Sequence, residues 1–93
     1  MTTKVVRNDA GSRFEATVDG ELCMLAYRLQ GGVLAIDHVI VPAVVGGRGI
    51  AADLTRTALD AARANGWRVV PNCSYAAAWI QRHPEYQDLL SPV

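Results

Sequence analysis

The sequence predicts an α+β domain: an antiparallel β-meander followed by a β-α-β-α unit, in the order β-β-β-α-β-α. Three observations predict it. Two-residue turns, Asp19-Gly20 and Gly31-Gly32, punctuate the first 42 residues. The apolar spacing then changes from a period of two to a helical period at Ile50. Finally, Asn65-Gly66 closes the first helical segment and Pro71 the short strand after it.

Each element has its own local reason. Residues 12–18 hold aromatic and β-branched side chains and run into Asp19-Gly20, where both positions tolerate positive φ. Residues 21–30 alternate, with Leu22, Met24 and Ala26 on one face and Cys23, Leu25, Tyr27 and Leu29 on the other. Both faces are apolar, so this strand is expected to be central and covered on both sides. Residues 33–41 form a third strand that Pro42 ends, because proline cannot donate to the ladder. From Ile50, the residues Ile50, Leu54, Ala58 and Ala61 make a helical stripe flanked by Ala51, Leu59 and Ala62. Asp53, Arg56, Asp60 and Arg63 take the opposite side. A short strand is expected over 67–70. A second helix over 75–82 has Ser74 as its cap and His83-Pro84 as its stop. The third strand, first helix and fourth strand make a crossover, expected to be right-handed.

Composition bounds the function. The 93 residues make one small domain, 1–93, and 51% of them are apolar, too many for a disordered chain. Much of that apolar share is alanine, so the core is thin. Nine basic residues balance nine acidic ones, which argues against nucleic acid as a partner. No apolar run approaches the ~18 residues of a membrane span. The first fifteen residues are interrupted by Lys4, Arg7, Asp9 and Arg13, so no secretory signal is read and the expected location is the cytoplasm. Cys23 and Cys73 lie too far apart for metal-ligand spacing, and no metal is expected. They are read as reduced thiols.

The segment most informative about chemistry is Gly46-Gly47-Arg48-Gly49-Ile50-Ala51. Three glycines fall between a strand and the start of a helix. There the first backbone N–H groups lack helical partners and the helix dipole is positive. Glycine allows close approach and positive φ, so the loop reads as an anion site, with Arg48 as an added phosphate contact; its plain alternative is a glycine-rich connection that only turns the chain. Gly47-Arg48-Gly49-Ile50-Ala51-Ala52 also fits G-x-G-x-x-A, the dinucleotide fingerprint. The context excludes it: the next strand ends Val70-Pro71-Asn72 without the required acid. No Gly-Lys-Ser/Thr triplet exists, so a nucleotide P-loop is excluded too.

The same loop resembles the coenzyme A loop of the GNAT acetyltransferase superfamily, with pattern Gln/Arg-x-x-Gly-x-Gly/Ala. Gly49-Ile50-Ala51 match its last three positions. Gly46 stands where Gln or Arg is usual, which removes a side-chain contact but keeps the backbone amides. The chain is similar to a compact subgroup, the N-acetyltransferase domain-containing proteins. The segments that carry this are Arg13-Phe14-Glu15, Asp37-His38-Val39-Ile40-Val41-Pro42, Gly47-Arg48-Gly49-Ile50-Ala51, Pro71-Asn72-Cys73-Ser74-Tyr75 and His83-Pro84-Glu85-Tyr86. They occur in the subgroup's order. The N-terminal helices that build the acceptor site in ordinary members have no counterpart here.

The resemblance implies an acyl-CoA N-acyltransferase fold and acetyl-CoA as co-substrate. It implies that the strands on either side of the first helix splay apart. The pantetheine arm then bonds to the backbone of Val39, Ile40 and Val41. The pyrophosphate rests on amides from Gly47, Arg48, Gly49, Ile50 and Ala51, with Gly46 also in the coenzyme site. Asn72, Ser74 and Tyr75 complete the coenzyme site, with the thioester directed toward Cys73 and Tyr75. An amine attacks that thioester directly in the usual reaction. A lysine-type amine, with pKa ~10.4, is neutral about once in 2,500 molecules at pH 7, so a base or a desolvated site is required.

Two side chains are candidates for the chemistry. Cys73, just before a helix start, is a nucleophile that carries the acetyl group or a proton donor to the departing thiolate. Its plain alternative is a small packed residue. His38, on the strand that lines the gap, is a candidate general base, or else a histidine satisfied within the sheet. Glu15 and Asp37 are the nearby carboxylates. Cys23, Trp67 and Trp79 are read as packing residues and His83 as a helix-end residue, although Arg82 and His83 also lie within reach of a coenzyme phosphate. The functional readings are an acetyl-CoA-dependent N-acetyltransferase, a non-catalytic coenzyme A or acyl-CoA binding module with a regulatory role, and a thiol-reactive protein. The acceptor amine, small molecule or protein, is not specified by these residues. The chain is read as a monomer or a homodimer.

Overall fold

The computed structural model describes residues 3–91. The elements are β1 (Val6–Asn8), β2 (Arg13–Val18), β3 (Glu21–Gln30), β4 (Val33–Ile40), α1 (Ile50–Asn65), β5 (Arg68–Pro71) and α2 (Ser74–Gln81). Short 3-10 turns occupy Ala43–Val45 and Pro84–Leu89. The five strands form one sheet in the order β1-β2-β3-β4-β5. All neighbours are antiparallel except β4 and β5, which run parallel on either side of α1.

The expected α+β class stands, with one more strand than the sequence predicts. Strand β1 pairs with β2 through Val6↔Glu15, Arg7↔Phe14 and Asn8↔Arg13. Ser12, expected at a strand start, instead sits in the intervening turn at φ 52. Both predicted hairpins form. Asp19 and Gly20 have φ 51 and 78, and Gly31 and Gly32 have φ 59 and 76, the double positive φ that matches the strand twist. Strand β5 begins one residue later than predicted and includes Pro71, which pairs with Ile36.

The core lies on one face of the sheet. Phe14, Ala16, Cys23, Leu25, Tyr27, Leu34, Ile36 and Val69 are buried there. Against them α1 packs Ile50, Leu54, Thr55, Ala58, Leu59 and Ala62, and α2 packs Ala76, Trp79 and Ile80. The buried stripe of α1 includes Thr55 in place of the expected Ala61. Its hydroxyl donates to Ala51 O at 2.8 Å, which removes the cost of burying it. Among the described residues no buried side-chain nitrogen or oxygen lacks a partner.

The expectation that β3 is covered on both sides fails. Leu22 is 40% exposed and Met24 and Ala26 are half-buried, whereas Cys23 and Leu25 are fully buried. Both helices serve the Cys23 face, and among the described residues no element covers the other. An apolar alternation on both sides of a strand signals strand; it does not by itself supply a second layer.

Helix ends obey local chemistry. Gly66 closes α1 at φ 71 and ψ 24, and its N–H reaches Ala62 O and Arg63 O. Helix α2 starts one residue earlier than predicted, so Cys73, not Ser74, is its N-cap, and no side chain caps it. His83 ends α2 by placing Nδ1 2.7 Å from Trp79 O and stacking on the Trp79 ring at 3.6 Å.

Candidate functional site

Strands β4 and β5 are paired only over Val33–Ile36 and Arg68–Pro71. Beyond that they part. Strand β4 continues to Ile40 with β3 as its strand partner. The chain after β5 turns away instead, and the amides of Asn72 and Cys73 both donate to Ile36 O, at 2.9 and 3.0 Å. Among the described residues, the β5-side edge of residues 37–40 is thus left without a strand neighbour. Val41, expected in the strand, lies just past its end.

A bulge marks the parting. Tyr27 opposes Ile36 and Ala26 opposes His38, so Asp37 is the extra residue of β4. The bulge sets the facing of residues 38–40. Val39 turns to the core beside Leu25, whereas His38 and Ile40 join Ala26 and Met24 on the uncovered face, and both are exposed. His38 is therefore at the lip of the parting, on the open side of the sheet, and is not enclosed within it.

Asp37 is held from both sides. Arg28 of β3 grips its carboxylate with Nε and Nη2 at 2.7 and 3.0 Å, and Asn72 Nδ2 donates to it at 3.2 Å. Arg28, and after it Asn72, hold the Asp37 carboxyl down at about 2. Glu15 accepts from Asn8 and Arg13, which also lower it. Neither carboxylate is a useful base near neutral pH. The Arg28 contribution is invisible in the sequence, because it needs the β3–β4 register and the bulge to bring the pair together.

The glycine loop comes after Ala43–Val45 and leads into α1. Buried Val45 and Ile50 anchor its two ends, while residues 46–49 are exposed. Gly47 and Gly49 take φ 77 and 78, and Arg48 between them does not take a positive φ. Such alternation in the sign of φ is the backbone pattern from which anion nests are built. A Cβ on Gly46 would stand 3.2 Å from Ala43 O, so the glycine permits this tight turn. Among the described residues no side chain caps α1 at Gly49. Open space surrounds the Cβ positions of Gly47 and Gly49. The Gly46 amide, expected at the coenzyme site, is taken by Ala43 O at 3.0 Å, so the amides left for a ligand begin at Gly47; with the positive helix end and the room around Gly47 and Gly49 they fit a phosphate-bearing group.

Arg48, expected at a phosphate, pairs with Asp19 of the β2–β3 hairpin at 2.7 Å. Both partners are half-exposed or more, so the pair is weak and exchangeable. A cavity of about 480 Å³ lies here, lined by Lys4, Thr17, Asp19, Arg48 and Ile50 among others. None of its lining comes from β4, β5 or α2, so it is a neighbour of the loop and not the parting itself.

On the far side of the parting, Cys73 and Tyr75 are half-buried against the core and Asn72 and Ser74 are exposed. Burial pushes the Tyr75 phenol up, against the opposing pull of Arg82 and Arg56. Cys23, by contrast, is fully enclosed and burial raises its thiol. The structure thus brings Cys73 and Tyr75 together on the core side of the parting, sets His38 on the opposite, uncovered face of β4, and continues from β4 through the Ala43–Val45 turn into the glycine loop. Among the described residues no cluster of three or more His, Cys, Asp or Glu forms a metal site, and no helix is long and apolar enough to cross a membrane.

Comparison with solved structures finds the NMR solution structure of a GCN5-like candidate N-acetyltransferase from Staphylococcus aureus. The two chains superpose with a TM-score of 0.76 at 23% identity, covering 99% of this chain and 91% of the other. That likeness establishes the fold. No curated protein matches the chain. The family model for GCN5-related N-acetyl-transferases matches residues 13–89, from the second strand to the end of the last turn. The chain belongs to the GCN5-related N-acetyltransferase family.

Proposed function

We propose that this protein is a small acetyl-CoA-dependent N-acetyltransferase that transfers an acetyl group to an amine, in the compact N-acetyltransferase domain-containing subgroup and in the cytoplasm. The observation that carries the reading is the parting of β4 from β5 directly before an uncapped, glycine-led helix start. Bound acetyl-CoA would supply an activated thioester. Amides of residues 47–51 hold its phosphates, and the free edge of Val39, Ile40 and Val41 pairs with its amide-bearing arm. Asn72 and Ser74 border the arm from the opposite wall.

The remaining chemistry concerns protons. His38 presents an imidazole on the open sheet face, where an amine has access, and its ring nitrogen takes the amine proton. Tyr75 Oη, kept protonated by burial, holds a proton at the other wall. Cys73 Sγ, at the α2 N-cap, is the second proton holder there and the alternative acetyl carrier.

The test is calorimetric titration with acetyl-CoA, with free thiol release then measured across an amine panel. Binding with release supports the enzyme. A specific observation favours the second reading, a non-catalytic coenzyme A binding module: the carboxylate at the parting, Asp37, is tied to Arg28, and Glu15, two strands away on β2, is tied to Arg13. Binding with no release for any amine would select that module, and no binding would reject both.

A further inference from the structure

We propose that Asp37 is a positioning residue that fixes the separation of β4 from the 72–73 loop, and so places the wall that carries Cys73. The inference deepens the function proposed above and rests on it. Two backbone bonds tie this loop to β4, and both end on a single acceptor, Ile36 O. Bonds that share one point leave the loop free to pivot about it. The second point is the Asn72 Nδ2 bond to Asp37 Oδ1 at 3.2 Å. Among the described residues it is the only side-chain hydrogen bond between β4 and this loop.

Asp37 is suited to that task. As the bulge residue it is the extra member of β4, placed one residue beyond the last β4–β5 pair. The bidentate grip of Arg28 fixes its carboxylate plane from the β3 side, so Asn72 docks onto an oriented, charged acceptor. The Arg28–Asp37–Asn72 chain therefore spans β3, β4 and the start of α2. The Cys73 amide, one residue on, lies 3.0 Å from Ile36 O. Freed from that chain, the loop samples other openings, and apparent affinity falls with the fraction of time the productive one is present.

The test compares two probes: coenzyme A, and 3′-phospho-ADP, which keeps the phosphates and lacks the pantetheine arm. Asp37→Ala and Asn72→Ala should each raise the Kd for coenzyme A about five- to tenfold. Each should leave the Kd for 3′-phospho-ADP within about twofold. The double variant should bind coenzyme A no more weakly than the worse single variant, because both remove one link. Additive losses would show separate contacts and overturn the inference, as would equal losses for both probes or an unchanged Kd for coenzyme A. If the unaltered protein binds neither probe, the proposed function fails and takes this inference with it. If it binds both and the variants match it, the inference alone fails.

Discussion

Replacing Gly49 separates the anion role of the glycine loop from its role in the fold, because α1 carries a matched control at its other end. Gly49 and Gly66 flank the helix at φ 78, ψ 14 and φ 71, ψ 24, and a Cβ at either meets nothing within 4 Å. A left-handed alanine costs roughly 1–2 kcal/mol, offset by about 0.4–1 kcal/mol from the stiffer unfolded chain. The net loss is about 1 kcal/mol, so Gly49→Ala and Gly66→Ala should each lower Tm by about 4–8 °C. Affinity should divide the pair. Gly49→Glu puts a carboxylate beside the nest; at about 4 Å from a phosphate charge the repulsion is roughly 1 kcal/mol in water and about 4 at an effective dielectric of 20. The Kd for coenzyme A should rise between about fivefold and a thousandfold. Gly66→Glu should melt at a similar temperature and bind coenzyme A normally. Melting curves and titration calorimetry on the four variants decide it. Equal affinity for Gly49→Glu and Gly66→Glu would refute the placing of phosphate at this helix start.

Asp37 has a carboxyl depressed from 3.8 to about 2, so its contribution is present above the unfolded value and fades as pH falls through the folded one. The shift alone corresponds to about 2 kcal/mol, which screening around the 68%-exposed Arg28 reduces to about 1. Asp37→Asn should therefore melt about 4–8 °C lower at pH 6 and equal the parent near pH 2, as checked by calorimetry across pH. A uniform offset at every pH would contradict the pairing. His38→Gln should reduce kcat about a hundredfold with coenzyme A affinity unchanged. An unchanged kcat would remove His38 from the chemistry. Tyr75→Phe should lower kcat about tenfold or more while sparing coenzyme A binding. If kcat instead holds and only Cys73→Ala abolishes it, Cys73 is the proton holder or carrier on that wall, and mass spectrometry for an acetylated Cys73 distinguishes the two.

Features governed by neighbouring residues are legible in the sequence. Asp19-Gly20, Gly31-Gly32 and Gly66 adopt the positive φ that their local chemistry predicts. The glycine loop is legible for the same reason, since free amides and a helix start are properties of one short segment. Features that depend on distant pairing escape. Strand β1 has three residues and exists through its register with β2. The bulge at Asp37 carries no glycine or proline to announce it, yet it sends His38 to the open face. Arg28 reads as one more exposed charge until the hairpin sets it against Asp37. The N-cap moves from Ser74 to Cys73 because Ile36 O captures the Cys73 amide, a contact across the sheet that outweighs serine's local preference. The bare side of β3 is hidden in the sequence because Leu22 and Met24 are apolar whether or not anything covers them.

The last described residues come back to β5. Leu90 bridges Val69 in parallel, and the Ser91 amide donates to Val69 O at 2.9 Å. This hem occupies the hydrogen-bonding side of a four-residue strand that would otherwise invite another molecule's backbone. Two residues that touch no part of the chemistry thereby keep the edge of the sheet from becoming an adhesive.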